Sequence, residues 1–130
     1  KVNLEEENRN GQFILHLINK KLISNAHDVS DGGIGLNLCE LAIANDLGFE
    51  VIEGSLEYFF NETQARYIIS INPLKEKLFI SLAKDKKVPT TKLGIAKGRS
   101  LCFGSNILTL AKINDLYHNV ISNMMDKKID

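Results

Sequence analysis

The chain is 130 residues long and has no tryptophan, two cysteines, two prolines and no net charge, with sixteen basic residues balanced by sixteen acidic ones. Each scarcity excludes something. A balanced charge leaves no electrostatic footprint for DNA, RNA or an anionic membrane surface. Cys39 and Cys102 lie far apart and neither belongs to a CxxC pair, so no metal knuckle is expected. Cys39 falls inside an apolar helical pattern and reads as a small core residue. No apolar run reaches membrane length and no signal peptide is visible, so the expected setting is reducing and cytoplasmic, without a membrane partner. "NET" at Asn61–Thr63 fits a glycosylation sequon, which has no meaning in a cytosolic protein.

What is present is enough for a core. Hydrophobic residues make up 44% and charged residues 25% of the chain, ordinary values for a globular protein. A chain of this length buries roughly 68% of the surface that its unfolded form exposes. The length predicts a single domain over residues 1–130.

Periodicity predicts a helix from Leu4 to Ile23, with Phe13, Leu17, Ile14, Ile18 and Leu22 recurring at helical spacing. The acidic run Glu5–Glu7 suits its N-terminal dipole. Gly11 suggests that the segment begins as an irregular arm. Asn25–Ser30 reads as a short strand. A second helix follows from about Gly33 to Leu47, buried on more than one side. Phe49–Ile52 is a strand candidate, with a turn at Glu53-Gly54 and a loop over residues 61–65. Tyr67–Ile71 is the clearest strand. Pro73 opens a helix to about Ala83, with Leu74, Leu78 and Leu82 on one face. Lys92–Ala96 is a strand, and Leu101–Phe103 and Ile107–Leu110 flank a hairpin. Ile113–Met125 is the last helix, with Leu116, Val120 and Met124 marking its buried face. "DKKID" reads as a natural, fraying chain end. The class is α/β (α+β), a mixed β-sheet covered by helices.

The stretch "HDVSDGGIG" carries the chemistry. Read as strand, loop and helix start, it offers unpaired amide N–H groups at the positive end of a helix dipole. Gly32 and Gly33 allow close approach to the backbone, and Ser30 offers a hydroxyl. This is the physics of a phosphate site. Asp28 and Asp31 oppose a bare phosphate, and suit Mg²⁺, sugar hydroxyls or an amine. The plain alternative is structural: Asp31 or Ser30 caps the helix, the glycines make the turn, and His27 is a hydrogen-bonded structural histidine. Two named motifs fail. Gly33 and Gly35 begin a GxGxxG pattern without its third glycine. "GIAKGRS", Gly94–Ser100, is one residue short of a Walker A loop and has Arg99 where lysine is required; it reads as a strand end and a turn. "FFNETQAR", Phe59–Arg66, places Glu62, Gln64 and Arg66 before the best strand, as either a site or a solvated loop.

Together, "AHDVSDGG" (Ala26–Gly33), "FNETQAR" (Phe60–Arg66) and "VPTTKLGIAKG" (Val88–Gly98) resemble, in order and spacing, the C-terminal domain of the phosphoribosylformylglycinamidine synthase subunit II family. That family belongs to the aminoimidazole ribonucleotide synthase superfamily. The similarity spans nearly the whole chain. The form of the glycine loop resembles the second copy of an internal duplication. The resemblance implies the last domain of a longer ligase, cut free at Lys1 and inactive alone. It implies the fold of the aminoimidazole ribonucleotide synthase C-terminal domain. It also implies a parent reaction: ATP, with Mg²⁺, activates the amide oxygen of formylglycinamide ribonucleotide, and glutamine-derived ammonia displaces phosphate.

The implied partners are the N-terminal domains, which carry most ATP contacts, a glutamine amidotransferase and small accessory subunits. An isolated chain is expected to expose apolar helix faces or to form a homodimer that covers them. The role carries over to His27, Asp28, Ser30, Asp31, Gly32, Gly33 and Glu62 as lining of a nucleotide or substrate site, with no general base named. The family usually has Gly-Glu or Ser-Glu where this chain has Asn61-Glu62; asparagine tolerates a left-handed turn there. Other superfamily enzymes share the fold and the loop: aminoimidazole ribonucleotide synthase, thiamine-phosphate kinase, selenophosphate synthase and the hydrogenase maturation factor. "ETQAR" favours the formylglycinamidine enzyme. A free-standing binding or assembly module is the reading from a different class.

Overall fold

A computed structural model describes residues 3–52, 56–63 and 65–126. The elements run α1 (Leu4–Asn19), β1 (Ile23–Asp28), α2 (Gly33–Asn45), β2 (Phe49–Val51), α3 (Leu56–Phe60), β3 (Tyr67–Ile71), a 3-10 turn (Pro73–Lys75), α4 (Glu76–Asp85), β4 (Gly94–Ala96), β5 (Ser100–Phe103), β6 (Asn106–Thr109) and α5 (Leu110–Asp126). The class is the expected mixed α/β. No helix among the described residues is long and apolar enough to cross a membrane.

The chain divides into two compact units, residues 1–37 with 55–92, and residues 38–54 with 93–130. Helix α2 begins in the first and continues in the second.

In the first unit, β1 and β3 form an antiparallel ribbon with Asp28 opposite Tyr67 and Ile23 opposite Ile71. A two-stranded ribbon is marginal alone. Helices α1 and α4 stabilise it: Phe13, Leu17 and Ala83 form a buried cluster, against which Ile23, Ile69, Phe79 and Leu82 pack. The rings of Phe13 and Phe79 lie 6.0 Å apart. Helix α1 is regular from Leu4, so Gly11 does not fray it. Asn3 caps it, its side chain accepting from the Glu6 N–H at 3.2 Å. The helix stops at Asn19, four residues before the expected end, because Lys21 turns left-handed (φ +52°) and releases Leu22 into the core.

In the second unit, the strands are ordered β4-β2-β5-β6, with β2 and β5 parallel and the other pairs antiparallel. This is the expected mixed sheet; β1 and β3 form a separate ribbon rather than joining it. The hairpin is as read: Phe103 pairs with Asn106 across Gly104-Ser105. Ala42, Leu101, Leu110 and Ile113 form this unit's core, with Phe49 and Phe103 packed on it. "GIAKGRS" is a strand end and a turn, and Arg99 forms an ion pair with Asp46, Nη2 to Oδ1 2.7 Å.

Several expected features differ. Helix α3 has no counterpart among the expected elements; its Phe59, at the head of the stretch Phe59–Arg66, is buried and anchors it. Leu74 is 93% exposed in the 3-10 turn and Leu78 is also exposed, so only Leu82 of that expected face reaches the core, beside Phe79 and Ala83. Helix α5 starts at Leu110, and its buried contacts are Leu110 and Ile113, whereas Leu116 is exposed. The side chains of Val120 and Met124 lie outside the described residues, as do the turn expected at Glu53-Gly54 and the last four residues.

Candidate functional site

Strand β1, the loop after it and the start of α2 bring together most of the singled-out residues, but not on one face. Burial alternates along β1, with Ile23, Asn25 and His27 half-buried and Ser24, Ala26 and Asp28 exposed. Consecutive residues on a strand point to opposite faces, so His27 and Asp28 are separated. His27 Nδ1 lies 2.7 Å from the Asp28 carbonyl oxygen. Ser30 and Asp31 are exposed; Gly33 is buried.

The start of α2 is capped from a distance. The Gly32 N–H donates to Glu62 Oε1 at 2.9 Å, across thirty residues of sequence, and the Gly33 N–H donates to the Ser30 carbonyl at 3.1 Å. Neither the Ser30 nor the Asp31 side chain takes the capping role that local reading offered them. A carboxylate at this position meets the positive end of the helix dipole, so the anion on the glycine loop is the chain's own Glu62. Gly33 has φ +65°, and a Cβ there would stand 2.7 Å from the carbonyl oxygens of both Phe59 and Asn61. Its glycine is demanded by the packing of α2 on the α3 segment.

The loop after α3 is folded on itself. Asn61 Oδ1 accepts from the Thr63 N–H at 2.7 Å and from the Thr63 hydroxyl. Arg66 donates from Nε to the Thr63 carbonyl at 2.8 Å, and from Nη2 to the Asn61 carbonyl. The residue in the left-handed region is Ala65 (φ +62°), not Asn61, and Asn10 Nδ2 donates to its carbonyl at 2.9 Å. Asn61 therefore works through its side chain rather than through a left-handed backbone. Gln64 lies outside the described residues.

Two residues that hold this arrangement were not singled out, Asn10 and Asn37; Arg66, singled out with Glu62 and Gln64, ties the loop. Asn37 is 1% exposed, and its Oδ1 accepts from the Ser30 N–H at 3.2 Å. The available signal was a polar residue in the middle of an apolar helical run; a buried amide needs a partner.

ATP and Mg²⁺ are the groups implied by resemblance, and the donor set tests them. The Gly32 amide is already committed to Glu62, and the nearby side chains of Asp28, Asp31 and Glu62 are carboxylates that repel phosphate. Among the described residues, no three His, Cys, Asp or Glu side chains are grouped to hold a metal. The loop as it stands does not fit a bare phosphate or a metal cluster.

Marked electrostatic shifts occur elsewhere in the chain. Burial, and then the neighbouring Glu40 carboxylate, push the Cys39 thiol up. A hydrogen bond to Glu40, 2.9 Å from the phenol oxygen, raises Tyr117. Glu50 raises Lys97 by a hydrogen bond and by its charge.

Comparison with known proteins gives this geometry its family. A subunit PurL of phosphoribosylformylglycinamidine synthase from Caldanaerobacter subterraneus is 33% identical over 109 residues, covering 81% of this chain and 15% of its own length. The Methanobrevibacter smithii PurL is 31% identical over 137 residues, covering 96% of this chain and 19% of its own. The chain thus spans less than a fifth of these relatives. Among solved structures, Thermotoga maritima PurL complexed with FGAR superposes with a TM-score of 0.71 at 15% identity, over 82% of this chain and 20% of that one. The PurLQS structure from the same organism gives 0.67 at 16% identity, over 80% and 21%. At such identities the likeness establishes the fold. The model of AIR synthase related proteins, C-terminal domain, matches residues 1–101, and the chain belongs to that family.

Proposed function

We propose that this chain is the C-terminal part of a cytoplasmic phosphoribosylformylglycinamidine synthase of the PurL type, inactive alone. The parent enzyme converts formylglycinamide ribonucleotide, ATP and glutamine-derived ammonia to the amidine. The observation that carries this reading is sequence identity of 31–33% to PurL subunits over 81–96% of the chain. Solved PurL structures with ATP and with FGAR have the same fold as this chain. The second-copy form of the glycine loop favours the second half of the duplicated parent.

In that enzyme Asp28, Ser30 and Asp31, with the paired Gly32 and Glu62, line the substrate side of a site completed by the N-terminal domains, while His27 on the other face of β1 and the buried Gly33 hold the loop in place. Those domains supply the phosphate and Mg²⁺ contacts that this loop lacks. The carboxylates of Asp28 and Asp31 suit the ribose hydroxyls or an amine of the ribonucleotide. A glutamine amidotransferase and an accessory subunit complete the assembly, as the PurLQS neighbour suggests. Exposed side chains such as Leu15, Ile18 and Ile107 meet sister domains there, or a second copy when the chain is alone.

The test is a chimera in which this chain replaces the corresponding segment of Thermotoga maritima PurL. Turnover that depends on formylglycinamide ribonucleotide, ATP and ammonia supports the proposal. A folded chimera that binds ATP but never turns over overturns it.

A further inference from the structure

The first unit holds a cleft of about 480 Å³ that the glycine loop does not touch, walled by Arg9, Gln12, His16 and Asn19 of α1 and by Lys86 after α4, with Phe13 beneath. The four α1 residues recur at intervals of three, four and three, which places them on one stripe of the helix. The stripe runs about 15 Å along the axis at 1.5 Å per residue. Leu15 lies at its edge.

Two features make this more than a solvated helix face. No carboxylate lines the cleft, although α1 opens with Glu5, Glu6 and Glu7. Glu5 stands four residues before Arg9, the spacing that favours an ion pair. Yet among the described residues the side chains of Arg9, Gln12, His16, Asn19 and Lys86 make neither a hydrogen bond nor an ion pair. Two full positive charges, an imidazole and two amides therefore share one cavity with their donors unspent. Arg9 and Gln12 lie outside the terminal turns of α1, whereas His16 and Asn19 are in its last turn and Lys86 is the C-cap of α4, where the dipole favours cations; the attraction for an anion comes from the side chains alone.

We infer that this cleft binds a small polyanion carrying two or more phosphoryl groups. The donor count selects that class. Arg9 presents a planar fork suited to paired phosphate oxygens, and Lys86, just after α4, adds a point charge. Gln12, Asn19 and His16 add further donors, more than one carboxylate has lone pairs to accept. The spread of these donors over two to three helical turns matches several linked anionic groups better than a single one. The volume is that of an ordinary small-ligand site. The inference rests on the first unit alone and is independent of the proposed parent reaction.

The experiment is a chemical-shift titration of the full chain with inorganic tripolyphosphate at fixed ionic strength, with citrate as a polycarboxylate control. Saturable shifts are expected at Gln12, Phe13, His16 and Lys86, with citrate at least tenfold weaker. The Arg9→Ala/Lys86→Ala variant should bind tripolyphosphate at least tenfold more weakly. Both side chains are exposed, so the variant should keep the melting temperature of the parent chain, and a matched melt confirms that folding is intact. Any of four results overturns the inference: no saturable shifts, shifts centred on Gly32 and Gly33, equal binding of citrate, or unchanged affinity in a folded double variant.

Discussion

At the residue scale, Glu62 has the clearest consequence. Its carboxylate is the partner of the Gly32 amide, so Glu62→Ala strips the cap from α2. The expected cost is about 1 kcal/mol, the usual value of an N-cap, read by chemical denaturation. Glu62→Gln keeps an acceptor oxygen and should lose less. Gly33→Ala should cost more than either variant. The new Cβ meets two carbonyl oxygens at 2.7 Å in a left-handed conformation, and that conformation alone costs about 1–2 kcal/mol.

Tyr117 gives a pH prediction. Its phenol is raised above the ordinary value near 10 by Glu40. A group whose folded pKa is raised contributes stability that is present below its unfolded pKa and lost as pH rises through the folded one. The contact should therefore fade only above about pH 10. In Glu40→Gln, phenolate absorbance should show one of the three tyrosines ionising at lower pH than before. None of these partners was legible locally. Glu62 was singled out as a ligand residue, and its distance of thirty positions from Gly32 hid the cap.

At the element scale, periodicity identified helices α1, α2, α4 and α5 and strands β1 to β6, because their apolar residues recur at the spacing of their own geometry. It was weaker on which residues of each element are buried. Leu74 and Leu116 matched a helical face and are exposed, whereas the small Ala42 and Ala83 lie in the cores. The neighbouring element decides which side of a helix is covered, and a short side chain fits where two elements approach closely. Leu17→Ala should therefore cost about 2–5 kcal/mol, while Leu74→Ser should change stability by no more than about 0.5 kcal/mol. Thermal melts of the two variants test the contrast. Helix α3 escaped the sequence reading because five residues carry too little period to register.

At the scale of the whole molecule, the chain covers less than a fifth of the PurL relatives it matches. The loop that resemblance marks as a nucleotide or substrate site is closed by its own Glu62. Taken with the proposed function, this predicts that the 130-residue chain alone hydrolyses no ATP in the presence of formylglycinamide ribonucleotide. Coupled-enzyme detection of ADP measures this, and sustained turnover by the isolated chain would contradict the reading. In the chimera, Asp31→Asn should raise KM for the ribonucleotide several-fold and leave KM for ATP nearly unchanged, which separates a substrate contact from a phosphate contact.

The sequence by itself determined the class, most elements and the family. Those depend on local periodicity, turn residues and three motifs in a fixed order, all of which survive as a linear pattern. Only the tertiary structure decided that β1 and β3 form a ribbon apart from the four-stranded sheet. It also decided that the amide at the head of α2 is taken by a carboxylate from a distant loop, and that Arg9 and Lys86 share one cavity. Each of these is a pairing between residues far apart in the chain. Strand partners, remote caps and cleft walls are set by the packing that brings segments together, and no local spacing encodes them.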